Sequence, residues 1–256
     1  MKYKVKQNSI WQLGDHILGC GSSTDADFVA KVCGHAKDKI RVIMTDPPYG
    51  VAYVEGKRDF AKLGAEKGKA REIMNDHLQT EEEYADFTEA WLSPVKNFLQ
   101  PYNACYIFNS DIMFRALRDG TDKAGFYYSQ MLVWVKNTVV VGRKDYLPMH
   151  EIIWYGWYGK HKMERSKAKS VITHPKPSSS KLHPTMKPIG LLRKLIPNSA
   201  KFGEYVYDPF GGSGSTLIAC EHLKRKCVTV ELDTTYAETI IQRWELLTKQ
   251  KAKEIC

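Results

Sequence analysis

Tyr205-Val206-Tyr207-Asp208-Pro209-Phe210-Gly211-Gly212-Ser213-Gly214 is the stretch that decides the fold. An apolar run that ends in an acid and opens into glycines reads as a buried strand stopping at a ligand crevice. Ser215–Leu223 then has the composition of a helix. Glycines let the backbone approach a ligand closely, and a helix N-terminus favours negative groups such as a carboxylate. A second strand, Cys227-Val228-Thr229-Val230, ends at Glu231. Glu231 lies twenty residues beyond Gly211, the spacing at which an acid reaches the ribose hydroxyls of an adenosine-containing cofactor. A plain strand-to-helix turn competes for the glycines, and the Glu231 spacing weighs against it. The last helix, with Tyr236, Ile240, Ile241, Trp244 and Leu247 on one face, is expected to cover the sheet.

Upstream, Ile40-Arg41-Val42-Ile43-Met44 has the look of another buried parallel strand, and Thr45-Asp46-Pro47-Pro48-Tyr49-Gly50 sits where its carboxyl end opens. A residue before proline is pushed toward extended dihedrals, and each proline fixes its own φ and lacks an N–H. The Asp46–Tyr49 backbone is therefore stiff. It presents the Asp46 carboxylate and the Pro47 carbonyl as acceptors beside the aromatic plane of Tyr49. Two acceptors next to a stacking surface suit an aromatic amine.

The rest of the chain alternates in the manner of an α/β domain. Ile10–Cys20 carries a Gly14-Asp15 turn and reads as a strand leading to a loop, with Ser23-Thr24-Asp25 offering caps for a helix over Ala26–Val32. Val51–Asp76 is rich in glycine and charge, and the expectation is a mobile active-site loop whose Lys57 and Arg58 contact DNA phosphates; a solvated charged loop is the competing reading. Thr80-Glu81-Glu82-Glu83 is a capping box ahead of Tyr84, Phe87, Trp91, Val95 and Phe98 at helical spacing, with Pro94 placed to split the helix. Ala104–Phe108 and Gln130–Val135 read as buried strands flanking a helical pattern around Ile112–Leu117. Residues 157–182, aromatic and basic at first and then rich in proline and serine, form a short candidate target-recognition insertion; Arg143, Lys160 and Lys162 join the candidate DNA contacts. His161, His174 and His183 have no metal-ligand spacing, so no metal is expected.

With 256 residues the chain can bury a full core as a single domain. A formal charge of +9 favours a polyanionic partner, because lysine and arginine near phosphates gain affinity by releasing counterions. The six cysteines are scattered without a Cys-x-x-Cys pair, as in a reducing compartment. Met1–Lys6 lacks the apolar stretch of a signal peptide, and no run reaches membrane-spanning length. The expected setting is cytoplasmic, in a prokaryote or a phage-infected cell.

Taken together, Asp46-Pro47-Pro48-Tyr49, Asp208–Gly214 and His183-Pro184-Thr185-Met186-Lys187-Pro188 closely resemble the S-adenosylmethionine-dependent DNA amino-methyltransferases. The catalytic motif precedes the cofactor motif, an order similar to the permuted β group of that family. The resemblance implies a Rossmann-like class I methyltransferase fold, α/β, with a seven-stranded, mostly parallel sheet and helices on both faces. It implies S-adenosyl-L-methionine as cofactor. Glu231 would hold the ribose, Thr185 and the Gly211–Ser213 turn the methionine end, and Asp15 the adenine region, with Asp46, Lys187, Asp208, Phe210, Gly214 and Leu232 completing the cofactor site. Cys20-Gly21-Ser22-Ser23-Thr24 departs from relatives, which commonly carry an acid in place of Ser22.

The implied reaction is methylation of an exocyclic amine on double-stranded DNA. That amine is hidden in the duplex, so the base must be flipped out. Asp46 and the Pro47 carbonyl would accept its N–H groups, Pro48 would keep the turn rigid, and Tyr49 would stack on the ring. Aspartate at position 46 resembles adenine-N6 enzymes, whereas N4-cytosine relatives more often carry serine. The absence of a Pro-Cys dipeptide disfavours C5-cytosine chemistry. A homodimer, common in that group, and a cognate restriction endonuclease of a restriction-modification system are candidate partners. A nicotinamide-dependent dehydrogenase would share the glycine turn but leave Asp46–Tyr49 unexplained. A non-catalytic DNA-binding module is favoured only by the charge.

Overall fold

The computed structural model describes residues 3–50, 79–139, 145–165, 167–176 and 186–256. Around one sheet the chain runs β1 (Ile10–Leu13), β2 (His16–Cys20), α1 (Ala26–Gly34), β3 (Ile40–Thr45), α2 (Glu81–Leu92), β4 (Leu99–Asn109), α3 (Phe114–Lys123), β5 (Phe126–Val135), β6 (His150–Tyr158), β7 (Val171–Thr173), α4 (Ile189–Leu195), β8 (Tyr205–Asp208), α5 (Ser215–Leu223), β9 (Lys226–Glu231), α6 (Thr234–Thr248) and β10 (Lys253–Glu254). The strand order is β10-β1-β2-β9-β8-β3-β4-β6-β5-β7.

Strands β2, β9, β8, β3 and β4 are parallel neighbours, and β6 runs antiparallel to both β4 and β5. This is the expected seven-stranded, mostly parallel core. Short strands widen it at both edges, β1 and β10 on one side and β7 on the other.

A sheet buried on both faces needs apolar residues at every position of its central strands. In β3 all six residues are buried, with Ile43 turned to one core and Val42 and Met44 to the other. Helices α1, α2 and α3 cover the Ile43 face through Phe28, Val32, Tyr84, Trp91 and Leu117. Helices α4, α5 and α6 cover the opposite face through Leu191, Leu192, Leu217, Ile240 and Trp244.

Local signals set the helix boundaries. Thr80 closes the capping box with Glu83, and Asp25 and Asp233 accept the first N–H groups of α1 and α6. Pro94 ends α2 by converting Ser93–Phe98 to a 3₁₀ helix.

Two expectations change. Ile10–Cys20 is a hairpin, because His16–Cys20 pairs both with β1 and with the buried strand β9. The helix expected around Ile112 begins at Phe114 and continues to Lys123, leaving Ile112 60% exposed. Within 157–182, Trp157 and Tyr158 finish β6 and Val171–Thr173 pairs with β5. Its aromatic rings stack on one another, Trp157 on His161 at 4.2 Å and beside Tyr127 at 4.9 Å. The stretch 51–76 lies outside the described residues.

Candidate active site

The chain leaves β8 for β9 on one side and β3 for β4 on the other, so the sheet's topological switch point lies between β8 and β3. Ligands in such sheets bind outside the carboxyl ends at that point. The two sequence motifs meet there. Thr45, the last residue of β3, donates its hydroxyl to Asp208 Oδ1 at 2.9 Å, joining the strand that ends in Asp46 to the strand that opens into the glycine turn.

Asp208 is a brace for that turn. Its carboxylate also accepts the Phe210 N–H at 3.1 Å and its carbonyl accepts the Thr229 hydroxyl at 3.0 Å. Burial pushes the Asp208 carboxyl up to about 7 against the hydrogen bonds from Thr216, Thr45 and the Phe210 N–H. The Asp208 side chain thus braces the turn from within, bonded to Thr45 and to the Phe210 N–H. Phe210 is likewise anchored, its ring 5.4 Å from Trp91 and 5.8 Å from Phe87. Ser213 is turned to α6, where Arg243 donates to both its carbonyl and its hydroxyl.

The glycines are required by close approach. A Cβ on Gly211 would lie 2.6 Å from Thr229 Oγ1, and Gly214 holds a left-handed φ of +82°. Glu231, at the end of β9, accepts the Gly212 N–H at 2.6 Å and the Asp233 N–H at 2.8 Å. Burial raises its carboxyl to about 7. The carbonyl of Glu231 takes the Gly21 N–H at 2.9 Å, which brings Gly21 and Ser22 to the same rim. Leu232 is half-buried beside them, its carbonyl held by Gln7 at 2.7 Å. A buried acceptor pair beside a glycine turn suits a ribose-bearing ligand, and among the described residues Ser215 Oγ at the head of α5 is buried without a partner. The residues present fit an adenosine cofactor.

Around Asp46 the structure gathers an ionic cluster. Lys187, the second residue before α4, places its ammonium 2.6 Å from Asp46 Oδ2, 3.1 Å from Glu151 Oε2 and 3.2 Å from the Tyr49 hydroxyl. Tyr49 donates to Asp46 Oδ1 at 2.8 Å, and Lys136 meets Glu151 Oε1 at 2.6 Å. Burial, with the neighbouring Glu151 charge, raises the Asp46 carboxyl against the pull of Lys187 and Tyr49. For Glu151 the burial penalty is outweighed by the two ammonium groups, which lower it to about 2. Burial works against the Lys187 ammonium, yet its two carboxylates hold its pKa above the usual lysine value. The structure thus places Lys187 as a direct partner of Asp46.

Other expected residues fall elsewhere. Asp15 occupies the exposed hairpin turn before β2, at the amino end of the parallel strands and away from the crevice. Lys160 and Lys162 follow β6, which exits at that same amino edge because it runs antiparallel. There the Lys160 carbonyl accepts the Asn103 N–H at 3.2 Å, and the Lys162 carbonyl is held at 2.7 Å by Arg41 near the start of β3. The length of β3, about 20 Å at 3.3 Å per residue, separates them from Asp46. Thr185, Lys57, Arg58 and Arg143 lie outside the described residues. Lys136 and Glu151 were not foreseen, although an acid opening the otherwise apolar run Ile152–Tyr155 at the crevice side of the sheet is a readable signal.

Strand order, switch point and glycine turn followed by an acid define a Rossmann-like class I methyltransferase. The DNA methylase family of N6 and N4 amino-methyltransferases matches residues 40–243, and the chain belongs to it. The family uses S-adenosylmethionine and acts on double-stranded DNA.

The chain is 24% identical over 237 residues to the type II methyltransferase M.HpaI of Haemophilus parainfluenzae, covering 81% of this chain and 68% of that one. Its fold is similar to the M1.HpyAVI–SAM complex, with a TM-score of 0.60, 23% identity and coverage of 86% and 96%. It is also similar to the PvuII DNA methyltransferase, cytosine-N4-specific, with a TM-score of 0.62, 17% identity and coverage of 91% and 93%. Among the described residues no helix is long and apolar enough to cross a membrane.

Proposed function

We propose that the chain is a site-specific DNA-methyltransferase that modifies the N6 amine of a flipped adenine. The observation that carries this reading is the Asp46 carboxylate at the switch point, tied through Thr45 and Asp208 to the glycine turn. Asp46 and the Pro47 carbonyl receive the two N–H bonds of the target amine, and their rigid spacing draws its lone pair out of conjugation with the ring. Tyr49 offers its face to the base, while Glu231 and the Gly211–Gly214 turn seat the donor. When bound, S-adenosylmethionine supplies an electrophilic methyl group.

Aspartate at position 46 favours adenine; N4-cytosine methylation is the second reading, kept by the cytosine-N4 specificity of the PvuII enzyme on a similar fold. A homodimer and a cognate endonuclease belong to this proposal as partners of the enzyme. Incubating duplex DNA with S-adenosylmethionine and analysing the nucleosides by mass spectrometry tests the choice of base. N6-methyladenine is expected; N4-methylcytosine alone would overturn it.

A further inference from the structure

Both oxygens of Asp46 are already taken, one by Lys187 at 2.6 Å and the other by Tyr49 at 2.8 Å. A target amine that bonds to Asp46 competes with these two donors for the lone pairs of the carboxylate. The Lys187 side chain is 9% exposed, and a buried ammonium that loses its partner pays heavily in desolvation. It needs somewhere to go. Glu151 Oε2 stands 3.1 Å away, and the other Glu151 oxygen is held at 2.6 Å by Lys136, whose side chain is 3% exposed.

We propose that Glu151 is a positioning residue that takes the Lys187 ammonium from Asp46 as the target amine enters, with Lys136 as its permanent counter-ion. The inference rests on the reading that Asp46 receives the amine. Two carboxylates and two ammonium groups make the cluster neutral, so the transfer moves one hydrogen-bonded contact and no net charge. Lys187 stays charged and paired throughout. Asp46 gains a free, ionised oxygen only when the base is present, which keeps the acceptor from being buried unpaired in the empty site.

The groups that face this exchange are Asp46 and Tyr49 after β3, Lys136 after β5, Glu151 in β6, Lys187 ahead of α4, Asp208 from β8 and Tyr84 from α2. The negative charge of Glu151 raises the Asp46 carboxyl. Asp46 must be ionised to accept, so activity falls as pH drops through its pKa. Removing the Glu151 charge lowers that pKa, and the acid limb of the rate profile moves to lower pH even as the rate itself declines. A merely structural residue would reduce the rate without moving the limb.

The test is single-turnover methylation of duplex DNA by the full chain over a range of pH, with calorimetry of S-adenosylmethionine binding and thermal melting alongside. Glu151→Gln is expected to lose about a hundredfold in rate through misplacement of Lys187, with an acid limb at lower pH and donor affinity unchanged. Glu151→Asp, which keeps the charge, should recover part of the rate and the original limb. An unchanged rate in Glu151→Gln, or a loss with an unmoved limb that Glu151→Asp does not rescue, would overturn the proposal. Asp46→Asn in the same series separates the two levels. If it is inactive while Glu151→Gln is normal, only the exchange fails; if it is fully active, the reading beneath it fails.

Discussion

Asp46 and Glu231 are carboxyls at the ends of strands on either side of β8, and their surroundings differ. Among the described residues Glu231 meets backbone donors alone, and burial raises its carboxyl to about 7. A folded-state pKa above the ordinary 4.5 means that protonation is favoured in the fold, so the ionised acceptor appears only as pH rises through about 7. Donor affinity should therefore tighten between about pH 6 and 8. Calorimetry checks this, and Glu231→Gln should bind roughly tenfold more weakly or worse with a flat pH profile.

Glu151 has the opposite sign. Its carboxyl is lowered to about 2, so its contribution to stability is present above the ordinary 4.5 and is lost as pH falls toward 2. The gap in melting temperature between the native chain and Glu151→Gln should narrow over that acid range. A gap that stays constant would mean that the Lys136 and Lys187 contacts do not hold the Glu151 charge in solution.

At the level of elements, the glycine turn is fixed by sterics that single substitutions can probe. Gly214→Ala puts a side chain at φ +82° and 3.0 Å from Ile240, and should cost about 1–2 kcal/mol in denaturant unfolding. Thr80→Ala removes the capping box of α2, which also carries Trp91 against Phe210, and should cost about 1 kcal/mol.

These are also the features most legible in the sequence. Tyr205–Asp208, the turn and Ser215–Leu223 were readable because glycine, proline and capping residues act locally. The capping box and the Pro94 break were readable for the same reason. The hairpin at Ile10–Cys20 was not, since His16–Cys20 is a strand through pairing with β9, more than two hundred residues away. The family resemblance points Asp15 to the adenine region, whereas in the fold Asp15 lies in the hairpin turn and Gly21 pairs with the Glu231 carbonyl. Lys187 and Glu151 become neighbours of Asp46 only when β3, β6 and the approach to α4 converge. No spacing along the chain encodes that meeting.

Across the whole molecule, the net charge of +9 predicts that affinity for duplex DNA falls linearly on a log–log plot against salt, with a slope set by the number of phosphates contacted. A salt-independent affinity would contradict a phosphate-binding surface. The sheet's polarity adds a constraint, because the crevice opens at the carboxyl ends while Lys160 and Lys162 sit at the amino ends. The double variant Lys160→Ala/Lys162→Ala should methylate DNA at the native rate and bind it within about twofold of the native chain, against the salt slope expected if each neutralised a phosphate.

The proposed function turns on one carboxylate, at the end of β3, holding the amine that is methylated. Asp46→Ala, assayed for methyl incorporation into duplex DNA with donor binding followed by calorimetry, tests it most directly. A loss of roughly a hundredfold to a thousandfold in rate is expected, with donor affinity retained. Incorporation at the native rate by Asp46→Ala would contradict it.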